Sequence, residues 1–154
     1  MTKRNIRRKK KKSPVKDRWT LAQGEDNGLP LIFRIRNQRP TGVQPAQYPH
    51  LIGMCWSYVP ENEFGMPSFE VMALTTQFEK LLGPALESSR SAFMTVIVTG
   101  NGVRQWQWYS RDPDETMTLI NQALAGCDPF PVWFFVEHDP DWQAYGDFQS
   151  NIGT

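Results

Sequence analysis

The stretch AFMTVIVTGNGVRQWQWY, residues 92–109, decides the fold that we expect for this chain. Ala92–Thr99 is rich in β-branched residues and Val103–Tyr109 alternates apolar with polar side chains, so both halves are typical of β-strands. Asn101-Gly102 between them favours a two-residue hairpin turn, because both turn positions adopt a positive φ. The stretch therefore predicts two antiparallel strands joined by a tight turn.

The predicted turn also fixes which residues face each other across the hairpin. Counting back from it places Val96 opposite Gln107 and Thr95 opposite Trp108. Large apolar residues then lie on both faces of the sheet, and two helices can cover only one of them. We expect the N-terminal hairpin and a short C-terminal helical turn to cover the second face. The alternatives are the loop at 37–49 and a second subunit, which would make a homodimer through the second sheet face.

Two helices are predicted, one before and one after this hairpin. The first, Ser68–Leu82, has apolar residues at spacings of three and four and ends at Gly83-Pro84. The second begins at Asp112, the predicted N-cap, and Glu115 three residues later completes a capping box. The predicted buried stripes are Val71, Leu74, Phe78 and Leu81 in the first helix and Met117, Ile120 and Leu124 in the second.

Strands His50–Tyr58 and Val132–His138 complete the order strand, helix, strand, strand, helix, strand. This order predicts an α+β fold, a ferredoxin-like βαββαβ antiparallel sheet over residues 50–138 with the helices on one face. A turn before Leu29–Arg36 predicts an N-terminal β-hairpin ahead of this core. Residues 18–154 are therefore expected to form a single α+β domain.

The formal net charge of +1 hides two segments of opposite charge. Residues 1–18 hold ten basic residues and one acid, a net +9, whereas residues 19–154 hold seven basic and fifteen acidic residues, a net −8. We expect residues 1–17 to be a disordered basic tail, because they offer nothing to pack. Two interpretations stay open, a solvated tail and a tail that binds RNA or another polyanion without sequence preference. The candidate polyanion-binding residues are Lys3, Arg4, Arg7, Arg8, Lys9, Lys10, Lys11 and Lys12.

Several classes of protein are excluded by composition. No apolar run approaches the roughly 20 residues that span a bilayer, and no apolar segment follows the basic N-terminus as it would in a secretory signal. Cys55 and Cys127 are too few for a disulfide framework or a zinc site, and both are expected to be buried or half-buried free thiols. We therefore expect a cytoplasmic protein with no membrane contact.

One acid–histidine cluster, Glu137-His138-Asp139, offers candidate catalytic chemistry. Neighbouring residues in a strand point to opposite faces, so these side chains are not expected to converge on one metal ion. Asp139 precedes Pro140 and is better explained as a helix cap. The sequence contains no Gly-rich phosphate loop or nucleophile elbow. We predict no catalytic residues, no metal site and no cofactor; the alternative is a small metal-dependent hydrolase that uses His138 with Glu137 or Asp139.

Three aromatic residues of the hairpin, Trp106, Trp108 and Tyr109, would suit base stacking if they lay on an open sheet face. Only Arg104 and Arg111 flank them, and an acidic body repels phosphates. We therefore expect these aromatic residues in the core.

Two motifs in the C-terminal half share an aromatic spacing that is unlikely by chance, RQWQWY at 104–109 and EHDPDWQAY at 137–145. Through them, residues 100–148 resemble a bacterial family catalogued as domain of unknown function 695 (DUF695). Weaker agreement extends upstream to Trp19, so most of residues 18–148 is covered and the basic tail is not. The motif residues are Arg104, Trp106, Trp108, Tyr109, Asp139, Pro140, Trp142 and Tyr145.

That family is similar in its C-terminal half to the regulator of ribonuclease E activity B (RraB), a small acidic inhibitor protein. The resemblance implies a ferredoxin-like fold and binding in place of catalysis, and it supplies no catalytic residues. We predict a cytoplasmic, non-enzymatic regulatory protein whose acidic body engages a protein partner and whose tail contacts RNA or another polyanion. A further alternative is an immunity protein that neutralises a toxin.

Overall fold

Residues 18–152 are described by a computed structural model, and within them six strands and three α-helices follow one another. The elements are β1 (Trp19–Asp26), β2 (Leu29–Arg36), β3 (His50–Ser57), α1 (Phe69–Glu87), β4 (Ala92–Gly100), β5 (Val103–Ser110), α2 (Pro113–Leu124), β6 (Val132–His138) and α3 (Gln143–Ile152). The tail predicted for residues 1–17 lies outside the described residues. Within residues 18–152, no helix is both long enough and apolar enough to cross a membrane.

The strands form one antiparallel sheet in the order β1-β2-β4-β5-β3-β6, so the predicted α+β class with an N-terminal hairpin is confirmed. The hairpin does not cover the second face as predicted. It extends the sheet instead, because β2 pairs with β4 through partners such as Ile35 and Val96. β4 is buried along nearly its whole length, and its free edge would leave backbone N–H and C=O groups without partners. A strand at that edge satisfies them.

The β4–β5 hairpin turns where the sequence predicts, with φ of 49° at Asn101 and 81° at Gly102. Val96 lies opposite Gln107 as expected, but the predicted pairing of Thr95 with Trp108 is wrong. The register shifts by one residue at Thr95, which is the signature of a β-bulge. Beyond the shift Met94 faces Trp108, and both side chains lie in the core beneath α1 and α2.

Helix α1 is longer than predicted, since it continues through Gly83-Pro84 to Glu87. Pro84 removes one helical hydrogen bond, which costs about 3 kcal/mol in a helix interior. The last turn is nevertheless held because Leu86 is completely buried in the core. The buried stripe is also rotated from the predicted one, and Leu74 is 47% exposed. The stripe consists of Thr75, Phe78, Leu82 and Leu86.

Helix α2 begins where predicted, at the Asp112 N-cap, whose carboxylate accepts the amides of Asp114 and Glu115. The reciprocal half of the predicted capping box is missing. The Glu115 carboxylate binds the Arg111 guanidinium at 2.9 and 3.1 Å, and the Asp112 amide donates to Ser110 Oγ instead. A charged donor forms the stronger bond, so Glu115 turns towards Arg111.

Two cores lie on opposite faces of the sheet, and α1 and α2 pack together on one face as predicted. The C-terminal turn is a ten-residue helix, α3, and with the loop at 37–49 it packs on the second face around Leu51 and Tyr109. The second face is thus covered within the chain at this end of the sheet. At the other end Trp133 of β6 remains 54% exposed.

The β3–α1 connection, residues 58–68, is tied to the tip of the β4–β5 hairpin through Gly65. Its carbonyl accepts the Gly102 amide at 3.1 Å and the Tyr58 hydroxyl at 2.7 Å. Gly65 has φ +80°, and a Cβ there would lie 2.9 Å from backbone atoms of Asn101. Only glycine allows this approach.

We therefore expect Gly65→Ala to lower the free energy of unfolding by about 2–4 kcal/mol, from left-handed strain and from overpacking. Gly28→Ala is the matched control, because Gly28 has φ +81° but no atom within 4 Å of its Cβ position. The control should lose about 1–2 kcal/mol. Urea denaturation measures both, and equal losses would contradict the packing role assigned to Gly65.

Candidate functional site

The motif residues divide between the two cores and do not converge on one site. Trp106 and Trp108 lie in the core beneath α1 and α2, whereas Tyr109, Trp142 and Tyr145 lie in the core beneath α3. The prediction that the hairpin aromatics are core residues is therefore confirmed. The motif spacing reflects packing on the two faces of the sheet.

The Glu79 cluster, comprising Arg34, Glu79, Arg104 and Trp106, links α1 to β2 and β5. The Glu79 carboxylate accepts Trp106 Nε1–H at 3.0 Å and faces a nitrogen of Arg34 and one of Arg104, each at 3.4 Å. Arg104 also donates to Thr99 Oγ1 at 2.6 Å. Burial lowers the pKa of Arg104, while the Glu79 charge opposes that shift and the Arg34 charge adds to it. The arginine remains a cation because a guanidinium group is not deprotonated in proteins.

Asp139 joins α3 to the sheet. Its carboxylate accepts the Tyr109 hydroxyl at 2.7 Å and the amides of Gln143 and Ala144 at 2.8 and 3.1 Å. The predicted helix-cap role of Asp139 is therefore confirmed. Trp142 stacks on the Tyr109 ring with centroids 4.2 Å apart and 10° between planes.

The same contacts fix the protonation states of this pair. Burial and the hydrogen bond to Asp139 raise the pKa of Tyr109 far above its usual value. Burial alone would raise the pKa of Asp139, but the Tyr109 hydroxyl and the two helix amides outweigh it and lower that pKa. The pair is therefore a phenol and a carboxylate near neutral pH, which suits a structural clamp.

The acid–histidine cluster does not gather around one point. His138 lies across from His50 on β3, with ring centroids 5.9 Å apart, and Glu137 pairs with Leu51. Asp139 is occupied by the contacts just described. Among residues 18–152, no group of three or more His, Cys, Asp or Glu side chains is placed to hold a metal ion.

A groove of about 780 Å³ lies between the N-terminal half of α1, the end of β3 and the α2–β6 connection. Trp56, Val71, Leu74 and Phe130 contribute to its apolar lining. Val59, at its edge, is 86% exposed. An apolar surface of this kind in contact with solvent is typical of an interaction site.

Two acidic residues lie at this groove. Asp128 lines it, and Glu70 is exposed one helical turn before Leu74, on the same flank of α1. Among residues 18–152, no Lys or Arg lines the groove, which therefore presents an apolar floor with Asp128 and Glu70 at its rim.

Sequence reasoning missed the groove because it placed Leu74 in the buried stripe. Phe130 between two prolines, in Asp128-Pro129-Phe130-Pro131, was the available signal, since a large apolar residue in a Pro-rich connection has to pack against a neighbouring element. Cys55 is buried and Cys127 is half-buried at the groove, and both are free thiols as predicted.

The model of a family described as a family of unknown function, DUF695, matches residues 17–149. The match spans both cores, the Glu79 cluster and the groove, and it leaves out residues 1–16. No curated protein and no solved structure matches the chain significantly.

The clamp predicts a pH-dependent loss of stability. Asp139→Asn should lower the free energy of unfolding by about 1–2 kcal/mol at pH 7, because an amide nitrogen replaces an oxygen that accepts hydrogen bonds. The native pKa of Asp139 is below its unfolded value, so its contribution is present above about pH 4 and is lost as the pH falls through the native pKa. Denaturation at several pH values measures the difference from the natural chain, which should shrink in acid.

Asp147→Asn is the control on the same helix, since Asp147 accepts a single exposed bond from the Gln143 side chain. Its effect should stay within about 0.5 kcal/mol. A loss at Asp139→Asn that equals the control, or that persists unchanged in acid, would contradict the clamp.

Proposed function

The chain belongs to the family of unknown function DUF695, and we propose that it is a non-enzymatic regulatory protein whose acidic body binds a protein partner through the groove. The partner presents an apolar ridge flanked by Lys or Arg side chains. The tail adds contact with RNA or another polyanion.

The topology of the core supports an RraB-like, ferredoxin-like assignment for residues 50–138. Its four strands lie in the order β4-β5-β3-β6, and α1 and α2 pack on one face of them. Two interleaved β-α-β units produce this arrangement. A fold alone does not determine a function, so the proposed function rests on the groove.

The observation that carries the proposal is the coincidence of exposed apolar residues with a preformed groove. Val59 and Leu74, which are 86% and 47% exposed, both line the groove. Removing such surface from water stabilises a complex by about 25 cal/mol per Å². Because the groove is already formed, burial of an apolar ridge in it favours binding without any rearrangement of the chain.

The charge around the groove supports the choice of a basic partner. Glu70 and Asp128 favour Lys or Arg at the edge of an interface and disfavour acidic competitors, which raises both specificity and the association rate. The lining holds no histidine, and its apolar floor supports binding in preference to acid–base chemistry.

Reversing a charge at the rim of the groove tests whether the acidic body binds its protein partner there. The Asp128→Lys variant of the rim should lose a partner that the full chain captures at moderate salt, whereas Glu25→Lys should retain it. Glu25 is an exposed acid on β1, at the opposite edge of the sheet, so it controls for net charge. The captured protein is identified by mass spectrometry, and its affinity for each variant is measured with purified components.

The same partner should also bind a chain that lacks residues 1–16. Recovery of nucleic acid alone, or equal binding by the rim variant and the Glu25→Lys control, would overturn the groove as the protein-binding surface.

Deleting residues 1–16 tests the tail separately. The full chain should bind a single-stranded RNA oligonucleotide, with affinity falling steeply as salt rises; six phosphate contacts would give a slope of about −4 in log K against log salt. Fluorescence anisotropy measures this slope. The deletion should abolish binding while the rim variant leaves it unchanged, and RNA binding that survives the deletion would refute a role for the tail.

A further inference from the structure

A second cavity, of about 410 Å³, lies on the flank of α1 opposite the groove. Its walls combine apolar side chains with two guanidinium groups. Ile32, Met66 and Met72 supply apolar walls, and Arg34 and Arg104 supply the cations. Within the part of the chain that the structure describes, no Asp or Glu lines this cavity, so its charge is opposite to that of the groove.

The charges at this cavity do not balance within the Glu79 cluster. Two guanidiniums face one carboxylate, and each lies 3.4 Å from it. Charge-assisted bonds between such groups are usually 2.7–2.9 Å long, so neither arginine is held tightly by Glu79. The shortest bond that Glu79 makes within the cluster is with the Trp106 indole. One positive charge in the cluster is left over.

The arginine inside the cavity is also incompletely bonded. The Arg104 side chain is only 8% exposed, and its Nε–H is buried with no hydrogen-bond partner. Burying a cation in this state is costly unless a counter-charge compensates it. Arg104 donates to the Thr99 hydroxyl, which therefore keeps its own hydrogen to donate to a further acceptor.

We propose that this cavity binds a small monocarboxylate that carries a short apolar chain. The carboxylate accepts from Arg34 and the outer face of Arg104, with the Thr99 hydroxyl beside them, and the chain lies along Ile32 and Met72. The single negative charge of a carboxylate neutralises the one excess positive charge of the Glu79 cluster. A phosphate dianion would leave the cluster with a net negative charge. The apolar walls explain why an anion with a chain fits better than a bare inorganic ion.

Hexanoate is a suitable probe for the full chain. It should bind to one site by isothermal titration calorimetry, with NMR shifts at the Arg104 Nε–H and at Thr99. Hexan-1-ol has the apolar chain without the negative charge, and inorganic phosphate has negative charge without the chain. Both should bind at least tenfold more weakly than hexanoate, because each makes only one of the two kinds of contact.

Three variants on the same surface separate the roles of the charges. Arg34→Gln should weaken hexanoate binding about tenfold, because one charged donor is lost. Lys80→Gln removes an exposed cation from α1 outside the lining and should leave binding unchanged. Glu79→Gln should strengthen binding, because it removes the competing carboxylate and keeps an acceptor for Trp106.

A gain in hexanoate affinity at Glu79→Gln would not arise from a folding defect, because a damaged cavity would bind hexanoate more weakly. The proposal is overturned if hexanoate does not bind, if hexan-1-ol or phosphate binds as well, if Lys80→Gln weakens binding as much as Arg34→Gln, or if Glu79→Gln fails to strengthen it. None of these results depends on the groove, because the two cavities share no lining residue.

Discussion

Burial of the β4–β5 hairpin on both faces is the constraint on which the rest of the structure depends. Both strands are buried along almost their whole length, so their apolar side chains need a layer above and a layer below. Their backbone groups need partners at both edges. β2 and β3 occupy the edges, α1 and α2 cover one face, and α3 with the loop at 37–49 covers the other. The Asp139 clamp then follows from the need to hold α3 down at a residue of β5.

Helix α1 separates two surfaces of opposite character. Its central stripe is buried in the core, and its flanks diverge from there: Glu70, Leu74 and Gln77 face the groove side, whereas Met72, Thr76 and Glu79 face the side of the arginine cavity. A helix that covered the sheet with a wider apolar face would have filled both spaces. Because the buried stripe is narrow, one flank of α1 borders the groove with its acidic rim and the other borders the arginine cavity.

Local signals in the sequence predicted the strands, the hairpin turn and the start of α2, because the Asn101-Gly102 backbone and the Asp112 carboxylate act on residues next to them in the chain. The failures have tertiary causes. Pro84 predicts a helix end, but the burial of Leu86 outweighs it, and the bulge at Thr95 depends on which residues the two cores need. The Glu79 cluster was missed because its members lie 25 and 45 residues apart in the chain, and the groove was missed because a small rotation of α1 exposes Leu74.

The split of charge between tail and body has a spatial counterpart. Two of the seven cations of the body, Arg36 and Arg104, are buried in ion pairs with Glu87 and Glu79, and the remaining residues of the body still carry the net −8. The tail joins the body at Arg18, beside the first residue of β1, which is one edge strand of the sheet. The groove lies beside the end of β3 and the start of the other edge strand, β6, at the diagonally opposite corner. In the proposed function, the point where the tail joins the body therefore leaves the groove open to a basic protein.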